Sequence, residues 1–145
     1  MIGLTRDIFF YGLFMDERRL RSAGFSPVVV GRAFLDGYSL EIERRATLEP
    51  RAGSRSYGIV MTLRADEAKN LYGQPSVADY VAEQVTVTLL ESQESHSCWC
   101  YNLPAARVSG TPDQAYRLEL AQLLDRLGFP GPYVRKVAGE SPGGN

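Results

Sequence analysis

The sequence is short of the residues that most often mark chemistry. It has one histidine, His96, and two cysteines, Cys98 and Cys100. A serine hydrolase needs an imidazole between its nucleophile and an orienting group, and a single histidine gives that class little support. His96, Cys98 and Cys100 alternate along one segment, in the pattern H-x-C-x-C of a conceivable metal site. Alternate residues on a strand stand about 6.6 Å apart, whereas zinc ligands converge to roughly 2 Å from one ion. No metal is expected, and the two thiols read as small buried apolar groups. The redox spacing C-x-x-C is absent, and two cysteines make no disulfide framework. Gly12, Gly24, Gly31 and Gly37 form no phosphate-binding pattern, so no cofactor is expected.

Charge of one sign is also lacking. The net charge is −1 over 145 residues, with no basic stripe, which argues against nucleic acid as a partner. The longest apolar runs, Ile8 to Tyr11 and Val28 to Val30, are far too short to span a bilayer. The first residues show no apolar core followed by a small-residue cleavage site, so a cytoplasmic location is expected. With 44% apolar and 23% charged residues the composition is that of an ordinary globular chain. The length suits one domain, read as 1–137, with 138–145 a disordered tail. Nothing in the pattern fixes an oligomeric state.

What is present is a mixed α/β (α+β) pattern. Ile8 to Tyr11 reads as a short buried strand. Asp16 is placed to cap a helix over Glu17 to Ala23, which Gly24 ends. Val28 to Leu35 and Tyr38 to Ile42 read as two strands around a hairpin turn at Asp36-Gly37. The stretch RRATLEPRAGSRS reads as a loop, because Pro50 and Gly53 break it. Its Glu43 to Arg45 could clamp an anion, although such clusters are usually only solvated. Ser56 to Leu63 is the next strand. Gly58 inside it suggests a bulge or a close backbone approach. Ala65 to Tyr72 reads as a helix ended by Gly73. Val85, Val87 and Leu89 alternate with Gln84, Thr86 and Thr88, and Ser97, Trp99 and Tyr101 with His96, Cys98 and Cys100, giving a hairpin across Glu91 to Glu94. The last helix is expected to start at Thr111 as N-cap, with Pro112 next and Gln114 completing a capping box. Its apolar stripe is Tyr116, Leu120, Leu123, Leu124 and Leu127. Gly128 and Pro130 stop it. These elements fit a small barrel-like, mostly antiparallel sheet with one longer helix packed on it.

The stretch FFYGLFM, Phe9 to Met15, is the unusual one. A strand ends at Tyr11-Gly12, yet Leu13 and Phe14 leave two large apolar residues in the loop. The segment resembles the F-x-Y-G-[ST]-[LN]-M signature of the gamma-glutamyl cyclotransferase-like superfamily. GRAFLDGYSLEI, SYGIVMTLRADEAKNLYG, DYVAEQVTVTLL and YRLELAQLLDRLGFPGPYVRKV resemble later blocks of that family, in the family's order, from about Phe9 to Val137.

The resemblance implies a six-stranded barrel-like α/β fold with one small-molecule pocket. It implies that the Tyr11 to Met15 loop turns backbone N–H groups toward a γ-glutamyl carboxylate or carbonyl. The implied chemistry is an intramolecular acyl transfer. The substrate's α-amine attacks its γ-carbonyl and 5-oxoproline leaves, with a glutamate as base. Here that glutamate's place falls on Pro75, or on Gln74 after a slip of one residue. Leu13 stands where the family has a polar residue, and Tyr72 where it has Asp. Asp79 and Glu83, flanking Tyr80, are the substitute bases to consider. For Glu83 the alternative is an ordinary charge at a strand edge. Substrate contacts are expected from Tyr11, Gly12, Leu13, Phe14, Met15, Gln74 and Tyr80. Tyr57 and Tyr101 are further aromatics that either line the pocket or pack in the core. The expected partner is a small molecule, a γ-glutamyl compound or another carboxylate or amide. The alternative is a binding protein that kept the fold and lost the base.

Overall fold

The computed structural model describes residues 4–42, 45–104 and 113–139. Five strands close into a barrel: β1 (Thr5–Phe10), β2 (Val28–Ile42), β3 (Ala46–Arg64), β4 (Val81–Leu89) and β5 (Ser95–Asn102). Around the barrel the order is β1-β3-β2-β4-β5, with β5 returning to β1. All pairs are antiparallel except β1 with β5, which touch in parallel register at Ile8 and Trp99. Four helices decorate it: α1 (Glu17–Ser22), α2 (Ala65–Leu71), α3 (Gln114–Arg126) and α4 (Gly131–Val137).

Five strands rather than six follow from one local feature. Asp36-Gly37 does not reverse the chain. Gly37 takes φ +87° and is absorbed as an irregularity in a continuous β2, between the pairs Asp36–Arg55 and Tyr38–Pro50. The reversal comes later, between Ile42 and Ala46. The stretch expected as a loop around Pro50 and Gly53 is therefore strand. β2 and β3 run past the barrel as a two-stranded arm. Its inner side is apolar enough to earn burial, since Ile42, Ala46 and Leu48 are all buried.

The helix ends are set by carboxylates. Asp16 caps α1 by accepting from Arg18 N at 3.0 Å. Glu67, itself buried, accepts from Arg64 N at 3.0 Å and from Ser26 N at 2.8 Å, tying α2 to the chain entering β2. α3 is capped by Asp113, which accepts from Tyr116 N, so the helix begins later than expected. The proposed cap residues Thr111 and Pro112, and most of the expected tail, lie outside the described residues. Beyond Gly128 and Pro130 the chain forms α4, a helix of about two turns that the two breakers concealed.

The core is built from Ile8, Phe9, Val60, Met61 and Leu63 of the barrel. Leu20, Leu71, Leu120 and Leu124 of the helices close over it. A second aromatic cluster of Phe34, Tyr57, Phe129 and Tyr133 joins β2 and β3 to α4.

Gly58 is where β3 meets the end of β1. A Cβ there would lie 2.2 Å from the Phe10 carbonyl oxygen and 2.9 Å from Phe9 Cε1. The carbonyl is fixed by the ladder and cannot yield. Gly58→Ala is expected to destabilise the fold by about 3 kcal/mol, the upper range for overpacking. Gly37→Ala, with positive φ but open space, should cost about 1 kcal/mol. Urea unfolding of the two variants checks the order; equal losses would mean that β1 is not held this closely.

Candidate functional site

β1 delivers Tyr11 and Gly12 to the rim of the barrel. There the chain makes one 3-10 turn, Leu13–Met15, with Met15 N donating to Gly12 O at 2.9 Å. The turn lies against a cavity of about 330 Å³, within the size range of small-ligand sites. Its walls include Tyr11, Gly12, Leu13 and Phe14 from this segment, Arg19 from α1, and Arg45 and Ala46 from the arm. Tyr72, Ser76, Val77 and Tyr80 follow from the segment after β3. Tyr101 of β5 and Tyr116 of α3 complete the site beside Phe10.

Of the residues expected to contact substrate, Tyr11, Gly12, Leu13, Phe14 and Tyr80 line this cavity. Met15 does not; its side chain is in the core, because the 3-10 turn points it inward. Gln74 is exposed on a turn outside the lining, and Pro75 beside it is exposed too. Tyr101 lines the cavity, whereas Tyr57 belongs to the aromatic cluster on α4.

The two candidate bases part company. Asp79 is gripped by Arg45 in a two-pronged ion pair, 2.7 Å on each arm, and Arg45 also donates to Ser76 O. Hydrogen bonding to Asp79 is the main reason Arg45 is held even more firmly in its charged form. Glu83 shares a face of β4 with Val85 and Val87 and accepts from Asn102 Nδ2. It is half-buried, and neither it nor Asp79 is among the residues lining the cavity.

The metal-like trio also separates. His96 Nε2 sits 2.8 Å from Asp7 Oδ2. Burial pushes the Cys98 thiol up to about 12 and raises that of Cys100 further, so both are protonated packing groups.

Side chains lock the cavity walls together. Tyr11 OH donates to Tyr101 O at 2.6 Å, and Tyr80 OH donates to Ala46 O at 2.5 Å. Leu48 N donates to Asn102 Oδ1, and Leu103 N to Thr47 Oγ1. Tyr72 stacks flat on Tyr101, 3.7 Å between centroids, and Phe14 meets Tyr72 edge-on. The Tyr116 hydroxyl reaches the loop: a Cβ on Gly12 would lie 2.9 Å from it.

Arg19, Tyr72 and Tyr116 also line the cavity, and the sequence marks none of them as a site residue. Tyr116 was legible only as the start of an apolar helix stripe, and that stripe does carry it to the cavity. Arg45 had a weak signal as part of a charged cluster; Glu43 and Arg44 of that cluster lie outside the described residues.

Burial raises Tyr11 and Tyr72 well above the usual phenol value, and Tyr116 to about 12 from 10.0. A folded-state value above the unfolded one means that the native state holds its proton longer. Stability from Tyr116 is therefore complete below about pH 10 and declines as the pH rises from there to about 12. Denaturant unfolding at alkaline pH should show this decline. Tyr116→Phe should make it shallower; an unchanged slope would place the titration elsewhere.

Residues 8–119 match the family described as gamma-glutamyl cyclotransferase, AIG2-like. Among solved structures, the human protein loc79017 superposes with a TM-score of 0.77 at 18% identity, over 95% of this chain and 89% of that one. A structure named gamma-glutamyl cyclotransferase gives the same values: 0.77, 18%, 95% and 89%. A yeast gamma-glutamyl cyclotransferase specific to glutathione superposes at 0.67 and 11% identity, over 94% and 95%. At these identities the likeness is one of fold. No curated protein sequence matches the chain. With the cavity formed around the Tyr11-Gly12 loop and three-quarters of the sequence matched, the chain belongs to the gamma-glutamyl cyclotransferase, AIG2-like family.

Proposed function

We propose that this chain holds a small carboxylate compound of the γ-glutamyl type in the Tyr11–Phe14 cavity, and does so without cyclising it. The observation that carries this reading is the charge of the walls. Arg19 and Arg45 line the cavity, and among the described residues no Asp or Glu does. A guanidinium suits a carboxylate in geometry and charge. Cyclisation asks for something else, because the attacking α-amine must lose a proton to a base within hydrogen-bond reach. The place expected for that base is taken by Gln74 and Pro75, neither of which accepts a proton.

A second reading keeps the chemistry and makes Asp79 the base. It is favoured by the contact between Asp79 and Arg45. Arg45 lines the cavity, so this ion pair ties Asp79 to the site.

The test is release of 5-oxoproline from γ-glutamyl amines and dipeptides, run beside the melting temperature with the same compounds. The expected result is a raised melting temperature with no release above background. Release that is lost in Asp79→Asn and kept in Glu83→Gln would replace the binding reading with the second one. Release lost only in Glu83→Gln would put the base on β4 and overturn both.

A further inference from the structure

The aromatic side of the cavity says more about the ligand than its charged side. Phe10, Tyr11, Phe14, Tyr72, Tyr80, Tyr101 and Tyr116 account for half of the lining residues. Phe10, Phe14, Tyr72 and Tyr80 follow one another at centroid separations of 6.3, 6.2 and 6.3 Å. The first two contacts are edge-to-face, at 87° and 86°.

The Tyr11 and Tyr80 hydroxyls donate to Tyr101 O and Ala46 O, and the Tyr101 hydroxyl accepts from Arg6. These rings offer a ligand π surface beside two guanidinium groups. Arg19 gives one N–H to Glu119 at 2.9 Å, leaving most of its five donors, while Arg45 gives three of its five to Asp79 and Ser76 O. Arg45 lies 5.6 Å from the Tyr80 ring centre, so charge and aromatic wall meet at one place.

We infer that the ligand is an aromatic carboxylate, its planar ring packed against Phe14, Tyr72 and Tyr80 and its carboxylate turned to Arg19 and Arg45. This rests on the reading of the cavity as a carboxylate site and adds the chemistry of the other end. An aliphatic tail would fill the same space but forfeit the edge-to-face contacts that a ring makes with three neighbours.

Three probes test it by titration calorimetry on the full chain: γ-glutamylphenylalanine, γ-glutamylalanine and 3-phenylpropionate. The phenylalanine compound should bind about tenfold tighter than the alanine compound. Phe14→Leu, which keeps an apolar side chain but removes the ring, should bring that ratio below about threefold. Phenylpropionate should compete with the phenylalanine compound for one site. Equal affinity for the two dipeptides in the wild type would overturn the ring subsite while leaving the carboxylate reading in place. Failure of all three probes to bind would overturn the carboxylate reading itself. The wild-type ratio needs no variant, so the outcome does not depend on how Phe14→Leu folds.

Discussion

The cavity exists because side chains finish what the β ladder leaves open. β5 pairs with β4 along its whole length but meets β1 at a single position. Beyond that point its last residues face the arm of β3, with no ladder between them. Asn102 accepts from Leu48 N and donates to Glu83, while Thr47 accepts from Leu103 N. Tyr11 reaches over to the Tyr101 carbonyl. The bonds to Leu48 N, Leu103 N and Tyr101 O each satisfy a backbone group that would otherwise lack a partner, at a cost of about 1–3 kcal/mol per group. The arm is therefore fixed against the barrel mouth, and Ala46 and Arg45 at its end become a wall.

This arrangement draws the site from five separate parts of the chain. Tyr11 and Tyr101 are ninety residues apart, as are the segments around Arg19 and Tyr116 in nearly equal measure. The role of each helix is positional. α1 carries Arg19 and α3 carries Tyr116, and the two are joined by the Arg19–Glu119 and Arg126–Asp16 pairs at the surface. Those ion pairs are exposed and individually weak. What secures the helices is burial of Leu20, Leu120 and Leu124 beneath them.

Much of the frame could be read from the residues. Alternation located β4 and β5, and Asp16 marked the start of α1. Gly58 signalled a close approach that the Phe10 carbonyl supplies. The failures share a cause: local turn chemistry was overridden by tertiary pairing. Asp36-Gly37 is a good hairpin turn in isolation, yet the strand continues through it because β3 offers a partner on both sides. Pro50 and Gly53 were read as breakers, but they stand on an arm that extends beyond the barrel, where a missing N–H is tolerated. The apolar residues of the loop Tyr11–Phe14 pointed only to burial or to a lining, and its reading as a pocket loop came from the resemblance; the loop lines the cavity. Arg19 and Tyr116 were not legible as site residues, since each looks like an ordinary helix residue until the helices are docked.

The tyrosines bear on whether something other than a carboxylate could serve as base. A phenol accepts a proton only when ionised. Burial moves Tyr11, Tyr72 and Tyr80 further from that state, and neighbouring phenols reinforce the shift at Tyr11 and Tyr72. At neutral pH these groups are donors. The same holds for the thiol of Cys100 behind them, which burial keeps protonated. Among the described residues the lining thus carries two guanidinium groups, each also paired with a carboxylate, together with neutral hydroxyls and ring faces. A general base contributes about two to four orders of magnitude in rate. Binding of a carboxylate by arginine needs none, and the side-chain bonds that hold the arm in place serve binding as fully as they would serve catalysis.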